Sequence, residues 1–371
     1  MKKLFFVIFL FSLTFAQSQN GKLSPKFYKE KREVFREKMP ENSVAVLFSA
    51  PIRNRANDVD YVFHQDPDFF YLTGWHQPHS VLMIYKNPQF DELGSFNEKI
   101  YILERDEYKE LWNGKRYSLE AVKKLGFERV NTRNHFMNDI SNLSTYDKVL
   151  MFGFNNDIRN QEDDPFDLFD LKAAFKKAIN FPSSFDRELY TVYQHILEAD
   201  GDSIESIREE VKAHVQLDST LIEDEIIKQF LLYSNNDFLT EVKTKTAFAL
   251  RNFNFDLVTL PQIMKDMREI KSDDEIELIK KAVAISVIGQ KEVMKAMHAD
   301  MTEREIQGIH EFVYRKYGAA DEGYPSIVGA GENSCVLHYT ENEKKELDNQ
   351  LVLMDLGAEF YGFTADVTRT I

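Results

Sequence analysis

The sequence predicts an α/β domain followed by an α+β domain. From about residue 25 to residue 181, short apolar runs alternate with helical patterns, as in α/β domains. Two helices with clear start signals then open the C-terminal part, and short apolar runs follow them, which is an α+β order of elements. A length of 371 residues is that of about two domains.

Four apolar runs predict the strands of the first domain, because polar or turn-forming residues bound each run. The predicted strands are residues 43–48, 80–85, 99–103 and 147–153. A charged, helical stretch from about residue 198 to residue 260 follows them and carries no Gly-rich or Pro-rich linker. We expect this stretch to be a helical connector or an insertion.

Two capping boxes predict where the helices of the second domain begin. Ser272 and Glu275 form the first box, and Thr302 and Glu305 form the second. Apolar residues recur at helical spacing after each box, and Gly318 is the expected end of the second helix. The strands expected after these helices are residues 326–328, 335–339, 350–355 and 365–371.

Charge and composition exclude one class of partner. The formal net charge is −15, and no cluster of basic residues alternates with aromatic ones. A nucleic-acid-binding face requires clustered lysine and arginine, so we expect no nucleic-acid partner. Cys335 is the only cysteine, which leaves no partner for an intrachain disulfide.

The N-terminus has the pattern of a secretory signal peptide. Two lysines follow Met1, an apolar run covers residues 4–15, and a small residue and polar sequence follow at residues 16–20. We predict a signal peptide over residues 1–19 and an exported protein, periplasmic or secreted, with no membrane anchor after cleavage. The alternative is a buried N-terminal strand or helix.

Asp355 and Asp366 are the candidate metal ligands. Asp355 directly follows an apolar strand, and glycines at 357 and 362 flank a turn that returns Asp366 to its neighbourhood. Two adjacent carboxylates repel, so the pair requires a bound cation or a shared proton. Oxygen ligands with room for imidazole suit a divalent ion such as Mn²⁺. The alternative is a salt bridge from one aspartate to Arg369, with the other aspartate capping a turn.

His338 is the candidate acid–base group. It ends an apolar run beside Tyr339, where an imidazole could move a proton or orient a substrate. A histidine satisfied by hydrogen bonds in the core or at its rim is the alternative interpretation.

Several segments of this sequence resemble the creatinase/prolidase/aminopeptidase P superfamily. Arg268 to Glu275 is similar to the entry into the family's "pita-bread" domain. Tyr-Leu-Thr-Gly-Trp ends a stretch that resembles the N-domain signature of aminopeptidase P, and its aromatic residues would otherwise predict a buried packing corner. The segments that carry the resemblance are residues 55–75, 111–116, 268–275, 324–339, 352–359 and 365–370.

The resemblance implies a domain organisation and a reaction. It implies an α/β aminopeptidase P-like N-terminal domain at residues 22–195, a helical connector or insertion at 196–265 and an α+β pita-bread domain at 266–371. The family activity is the release of the N-terminal residue from peptides with proline second, catalysed by two metal ions, with Mn²⁺ expected here. A homo-oligomer is also expected.

The resemblance also assigns site residues. Asp355 and Asp366 resemble the first two metal ligands, with Asp366 bridging the ions. His338 resembles the histidine near the scissile bond, and Tyr339 beside it is expected to bind substrate.

The pattern departs from the family after Asp366. The family's remaining ligands, one histidine and two glutamates, lie well downstream, whereas only residues 367–371 follow here. We therefore expect an incomplete pita-bread domain, and a 371-residue form with negligible peptidase activity that belongs to a longer enzyme. The alternatives are a non-catalytic peptide- or partner-binding module that retains the fold, and a prolidase that acts only on dipeptides.

Overall fold

A computed structural model of the protein describes residues 23–154, 167–232 and 236–371. Two compact units divide it, the first from Pro25 to Ile270 and the second containing Lys271 to Ile371. The predicted signal peptide, residues 1–19, lies outside the described residues. None of the helices within the described ranges is long and apolar enough to span a membrane.

The first unit combines helices with one main sheet and a short β-ribbon. Its helices are α1 (Pro25–Lys38), α2 (Pro67–Thr73), α3 (Glu107–Asn113), α4 (Leu119–Lys123), α5 (Phe136–Asp139), α6 (Leu168–Ala178), α7 (Arg187–Glu198), α8 (Ile204–Leu217), α9 (Glu225–Leu232), α10 (Asn236–Leu250) and α11 (Thr259–Glu269). Its strands are β1 (Ser43–Phe48), β2 (Asn54–Ala56), β3 (Val59–Asp60), β4 (Val81–Asp91), β5 (Gly94–Ile102), β6 (Arg129–Thr132), β7 (Lys148–Leu150) and β8 (Phe255–Asp256).

The main sheet has the strand order β6-β5-β4-β1-β7-β8. β1 pairs antiparallel with β4, which places Val46 opposite Met83, and parallel with β7. Both faces of β1 are buried, because Leu47 packs into one hydrophobic core and Val44 into another. The α/β prediction is confirmed, and each of the four predicted strands is present.

The aromatic signature of residues 55–75 is partly a packing corner, as predicted. Phe69, Tyr71 and Trp75 are buried in the core beside β1. Tyr61, by contrast, is 59% exposed, because it follows the separate β2–β3 ribbon rather than α2. The signature therefore covers two local environments.

Helices α7 to α10 form a core of their own within the first unit, with Val192, Val211 and Phe230 buried at its centre. The chain then returns to the main sheet, since β8 pairs in parallel with β7. The sequence boundary drawn at residue 265 falls inside α11, whose Leu260 packs into the core beside β1. Because α11 buries residues along its length, the whole helix belongs to the first unit, which ends at Ile270.

The second unit packs two helices against two small sheets. Its elements are α12 (Asp273–Ala296), α13 (Glu303–Lys316), β9 (Asp321–Glu322), β10 (Ile327–Ala330), β11 (Val352–Asp355), β12 (Ala358–Phe360), β13 (Phe363–Thr364) and β14 (Thr368–Thr370). The sheets have the orders β10-β11-β14 and β13-β12-β9. Both predicted capping boxes are present, at Ser272 with Glu275 and at Thr302 with Glu305. The α+β prediction is confirmed.

The prediction of a strand at residues 335–339 is wrong. Residues Gly331–Cys335 form a 3₁₀ turn, and the chain after it is irregular. The turn is held by the Ser334 hydroxyl, which donates to the carbonyl of Gly331 at 2.6 Å. Leu337 is 89% exposed, so the apolar run that suggested a strand has no core face to bury. The strand predicted at 365–371 is shorter, covering Thr368–Thr370.

Candidate metal centre

Asp355 ends β11, and the alternation of that strand explains its position. Val352 and Met354 point into the core of the second unit, whereas Asp355 is half-buried. After Asp355 the chain enters the β12–β13 hairpin, which turns at Tyr361 and Gly362 with φ of 48° and 80°. The predicted turn is therefore present, and it carries the chain back to Asp366.

A glycine lets the two ends of this hairpin approach each other. A Cβ atom on Gly357 would overlap the carbonyl oxygen of Ala365. A hydrogen bond also holds the two ends together: the amide of Ala365 donates to the carbonyl of Ala358 at 3.1 Å. Asp366, the next residue, is thereby held near the end of β11, although its side chain is exposed rather than buried.

One tyrosine joins the two carboxylates. The hydroxyl of Tyr324 donates to Oδ1 of Asp355 at 2.6 Å and lies 3.4 Å from Oδ1 of Asp366. Burial is the main cause that raises the pKa of Tyr324, and the hydrogen bond to Asp355 raises it further. The hydroxyl therefore keeps the proton that it donates. The structure thus brings Asp355 and Asp366 together, as the sequence predicted.

Among the described residues, neither aspartate forms the alternative salt bridge to Arg369. Arg369 lies opposite Met354 across β11 and β14, whereas Asp355 lies opposite Thr368. Successive residues of a strand point to opposite faces, so Arg369 is on the wrong face to reach Asp355. Its guanidinium donates to the carbonyl of Thr368 instead.

The two carboxylates fit a metal ion by the chemistry of their donors. Within residues 271–371, no lysine, arginine or histidine forms an ion pair with either of them. Adjacent carboxylates with no cationic neighbour favour a bound cation, and oxygen donors favour a hard divalent one. Among the described residues, no third histidine, cysteine, aspartate or glutamate completes a ligand cluster with this pair.

His338 and Tyr339 lie in the irregular segment after the 3₁₀ turn. His338 is exposed, and among the described residues no hydrogen bond or ion pair joins it to Asp355 or Asp366. The hydroxyl of Tyr339 is engaged within the protein: it donates to the carboxylate of Glu303 at 2.9 Å and accepts from the side-chain amide of Asn333 at 2.9 Å. A catalytic His338 and a substrate-binding Tyr339 both stay predictions.

Sequence reasoning did not single out Tyr324 or Glu303 as site residues. Tyr324 carried a weak signal, since it opens the segment 324–339 that resembles the superfamily. Glu303 follows the capping threonine of α13 and looks like one more acidic residue of a helix N-terminus. Neither contact could be read from spacing, because each joins residues that are distant along the chain.

Each of the two units is similar to a known protein family. Residues 28–151 match the family described as aminopeptidase P, N-terminal domain, and residues 277–371 match metallopeptidase family M24. The Xaa-Pro aminopeptidase of Escherichia coli K12 is 24% identical over 351 residues, which cover 94% of this chain and 62% of the relative. The chain thus spans less than two thirds of that relative's length.

Solved structures show the same fold. The proline aminopeptidase P II of Yersinia pestis aligns with a TM-score of 0.64 at 24% identity, covering 94% of this chain and 63% of that one. The zinc-substituted Escherichia coli aminopeptidase P in complex with product aligns with a TM-score of 0.63 at 22% identity, covering 94% and 62%. The chain thus has the fold of aminopeptidase P, and its two units match the aminopeptidase P N-terminal domain and metallopeptidase family M24.

Proposed function

We propose that this chain is the metal-binding part of an exported aminopeptidase that releases the N-terminal residue from peptides with proline in second position. The observation that carries the proposal is the meeting of Asp355 and Asp366 at the hydroxyl of Tyr324, inside the segment that matches family M24. The names of the relatives support the substrate class. Export rests on the pattern of residues 1–19, and assembly into a homo-oligomer on the family resemblance.

Each side chain of the site has a distinct part in this proposal. Asp355 and Asp366 would hold the metal, for which we propose Mn²⁺. A bound divalent ion supplies a polarised peptide carbonyl and a water of lowered pKa. Tyr324 keeps Oδ1 of Asp355 in one orientation through its 2.6 Å hydrogen bond. His338 would exchange a proton near the scissile bond, and Tyr339 would line the substrate side.

Metal titration and peptide hydrolysis test the proposal together. We expect the chain to bind Mn²⁺ stoichiometrically, and Asp355→Asn to weaken binding at least about a hundredfold, since even outer-shell changes cost ten- to a hundredfold. Asp348→Asn is the matched control, because Asp348 is exposed in the same unit and adopts a φ of 53° that asparagine tolerates. Equal binding by the two variants would refute the metal assignment.

Hydrolysis is measured with Mn²⁺ on an Xaa-Pro tripeptide, an Xaa-Pro dipeptide and a matched peptide with alanine second. Turnover of the tripeptide, lost in Asp355→Asn, supports the aminopeptidase. Turnover of the dipeptide alone would identify a prolidase. Peptide binding without metal or turnover would identify a non-catalytic binding module. The intact mass of the protein from its native source shows whether the native polypeptide is longer than 371 residues, and the assay uses the native polypeptide.

A further inference from the structure

Glu303 is a fully buried carboxylate, with 0% of the residue exposed. Its Oε1 accepts from the backbone amide of Ala330 at 2.8 Å and from the side-chain amide of Asn333 at 3.1 Å. Its Oε2 accepts from the hydroxyl of Tyr339 and the backbone amide of Lys344, both at 2.9 Å. All four donors belong to one stretch of chain, residues 330–344.

This arrangement is not needed to start helix α13. Thr302 and Glu305 already form the capping box of that helix. A buried carboxylate without an ion pair is expensive unless hydrogen bonds satisfy it, and a helix N-terminus provides only a modest favourable field. Glu303 therefore depends on the 330–344 stretch for its donors, and the stretch depends on Glu303 for its acceptor.

Residues 331–344, which we call the histidine loop, carry His338 near their middle. A second attachment holds the end of this loop. Asn342, 1% exposed, accepts from the amide of Val328 and donates to the carbonyl of Ser326, both at 2.9 Å. Both partners flank Ile327, which pairs with Asp355 across β10 and β11. The loop is thus fastened to the strand that neighbours the candidate metal ligand.

Tyr339 contributes its hydroxyl to the same fastening. Besides the bonds to Glu303 and Asn333, this hydroxyl accepts from the backbone amide of Glu343 at 3.0 Å. Since a hydroxyl has one donor and two acceptor positions, these three bonds fill its capacity. The Tyr339 hydroxyl has none left for a substrate, although its ring is half-exposed.

We propose that Glu303 is a positioning residue that acts through the Tyr339 hydroxyl to hold the histidine loop, and with it His338, in place. The functional consequence rests on the proposed peptidase role of His338. The structural part does not, so the two can fail separately.

Hydrogen–deuterium exchange tests the structural part on the full chain without metal. In Glu303→Gln the amide nitrogen cannot accept, so two of the four donors lose their acceptor. We expect backbone exchange across residues 331–344 to accelerate at least about tenfold, while the rest of the second unit keeps its protection. Glu275→Gln is the matched control, because Glu275 is also a buried glutamate, 1% exposed, and lies in the capping box of the other helix, α12. It should leave the loop unchanged.

Unchanged loop exchange in Glu303→Gln would overturn the proposal, and so would equal acceleration throughout the unit. If that variant does not fold, Tyr339→Phe replaces it, since it keeps the ring and removes only the hydroxyl. Tyr339→Phe should accelerate exchange in the same residues, and a loop that remains protected in it would also contradict the proposal.

A double-mutant cycle tests the functional part in the Mn²⁺-loaded enzyme. We expect Glu303→Gln to lower kcat for an Xaa-Pro peptide about tenfold, and to cause no further loss when His338→Ala is already present. Losses that multiply would show that Glu303 acts independently of His338 and overturn the functional part. If His338→Ala alone leaves kcat unchanged, the proposed role of His338 fails, while the exchange result still decides whether Glu303 positions the loop.

Discussion

Two carboxylate sites of this protein satisfy their charge in opposite ways. Glu98 in the first unit is 6% exposed, and the guanidinium of Arg32 donates to both of its oxygens, at 2.6 and 2.8 Å. Arg32, itself 1% exposed, also donates to the carbonyls of Leu72 and Gly126, both at 3.0 Å. Every charge in this site is neutralised by the protein itself.

Among the described residues, the carboxylates of Asp355 and Asp366 in the second unit share a neutral donor, Tyr324, and form no ion pair. The contrast with Glu98 separates a structural charge from one for which we propose a function. A carboxylate that serves the fold needs a built-in counter-charge, because burial of a lone charge is unfavourable. A carboxylate pair that serves a ligand keeps its charge available, and remains near enough to solvent for the apo form to fold.

The largest expected effect is on the structural pair. Arg32→Ala leaves the Glu98 carboxylate buried without its counter-charge, so the free energy of unfolding should fall by about 3–5 kcal/mol. Urea unfolding followed by tryptophan fluorescence measures it, since both tryptophans, Trp75 and Trp112, lie in this unit. Lys26→Ala is the control: its pair with Glu30 is exposed, and such pairs contribute about 0–1 kcal/mol. Equal losses of stability in Arg32→Ala and Lys26→Ala would show that the buried pair is no more structural than the exposed one.

The stability of the Asp355/Asp366 pair's unit should respond to metal instead. At a Mn²⁺ concentration of 100 times Kd, binding to the folded state alone should stabilise the second unit by about 2.7 kcal/mol. Asp366→Asn should abolish this gain without lowering the stability of the metal-free protein, because it also removes carboxylate repulsion. Thermal unfolding with and without Mn²⁺ measures both quantities, and Asp348→Asn should retain the gain. A large loss in metal-free Asp366→Asn would mean that the pair is structural.

His310 should make the stability of the second unit depend on pH. It is fully buried, and burial lowers its pKa from 6.5 to about 4, partly opposed by its bond to the carbonyl of Ile306. Between pH 6.5 and about pH 4, His310 therefore binds a proton in the unfolded chain but not in the folded chain. Stability is complete above about pH 6.5 and should be about 2 kcal/mol lower at pH 5.

Unfolding of the second unit at pH 7 and pH 5, followed by hydrogen exchange, measures this loss. His310→Leu should flatten the pH dependence. His298→Ala, with a side chain 63% exposed, should leave it unchanged. A dependence that survives in His310→Leu would assign it to other groups.

The smallest expected effect belongs to the hydroxyl that joins the two aspartates. Tyr324→Phe removes the orienting bond to Asp355 but neither ligand, so Mn²⁺ affinity should fall about tenfold, at the low end of outer-shell effects. Isothermal titration calorimetry measures it. Tyr361→Phe is the control, because that tyrosine lies at the hairpin turn of the same unit. Unaltered affinity in Tyr324→Phe would show that the aspartates orient themselves.

Local signals predicted much of this fold. The run at 43–48 has a strand's length and apolar character, and the boxes at Ser272 and Thr302 start helices through contacts only three residues apart. The approach of Asp355 to Asp366 was predictable for the same reason, since a short hairpin with Gly357 before it and Gly362 in its turn connects them. The apolar run at 335–339 gave a wrong strand prediction. Whether Leu337 is buried depends on which other residues of the unit pack against it, and it is exposed.

The sequence by itself determined the two-part α/β and α+β organisation, the helix starts and the pair of candidate ligands, because these follow from periodicity, capping and short-range turns. Only the tertiary structure decided which groups surround that pair. Strand register set Arg369 on the opposite face from Asp355. Packing brought Tyr324 to the carboxylates and buried Glu303 beneath the histidine loop. Those contacts join residues 31 and 36 positions apart along the chain, distances at which no sequence period specifies a partner.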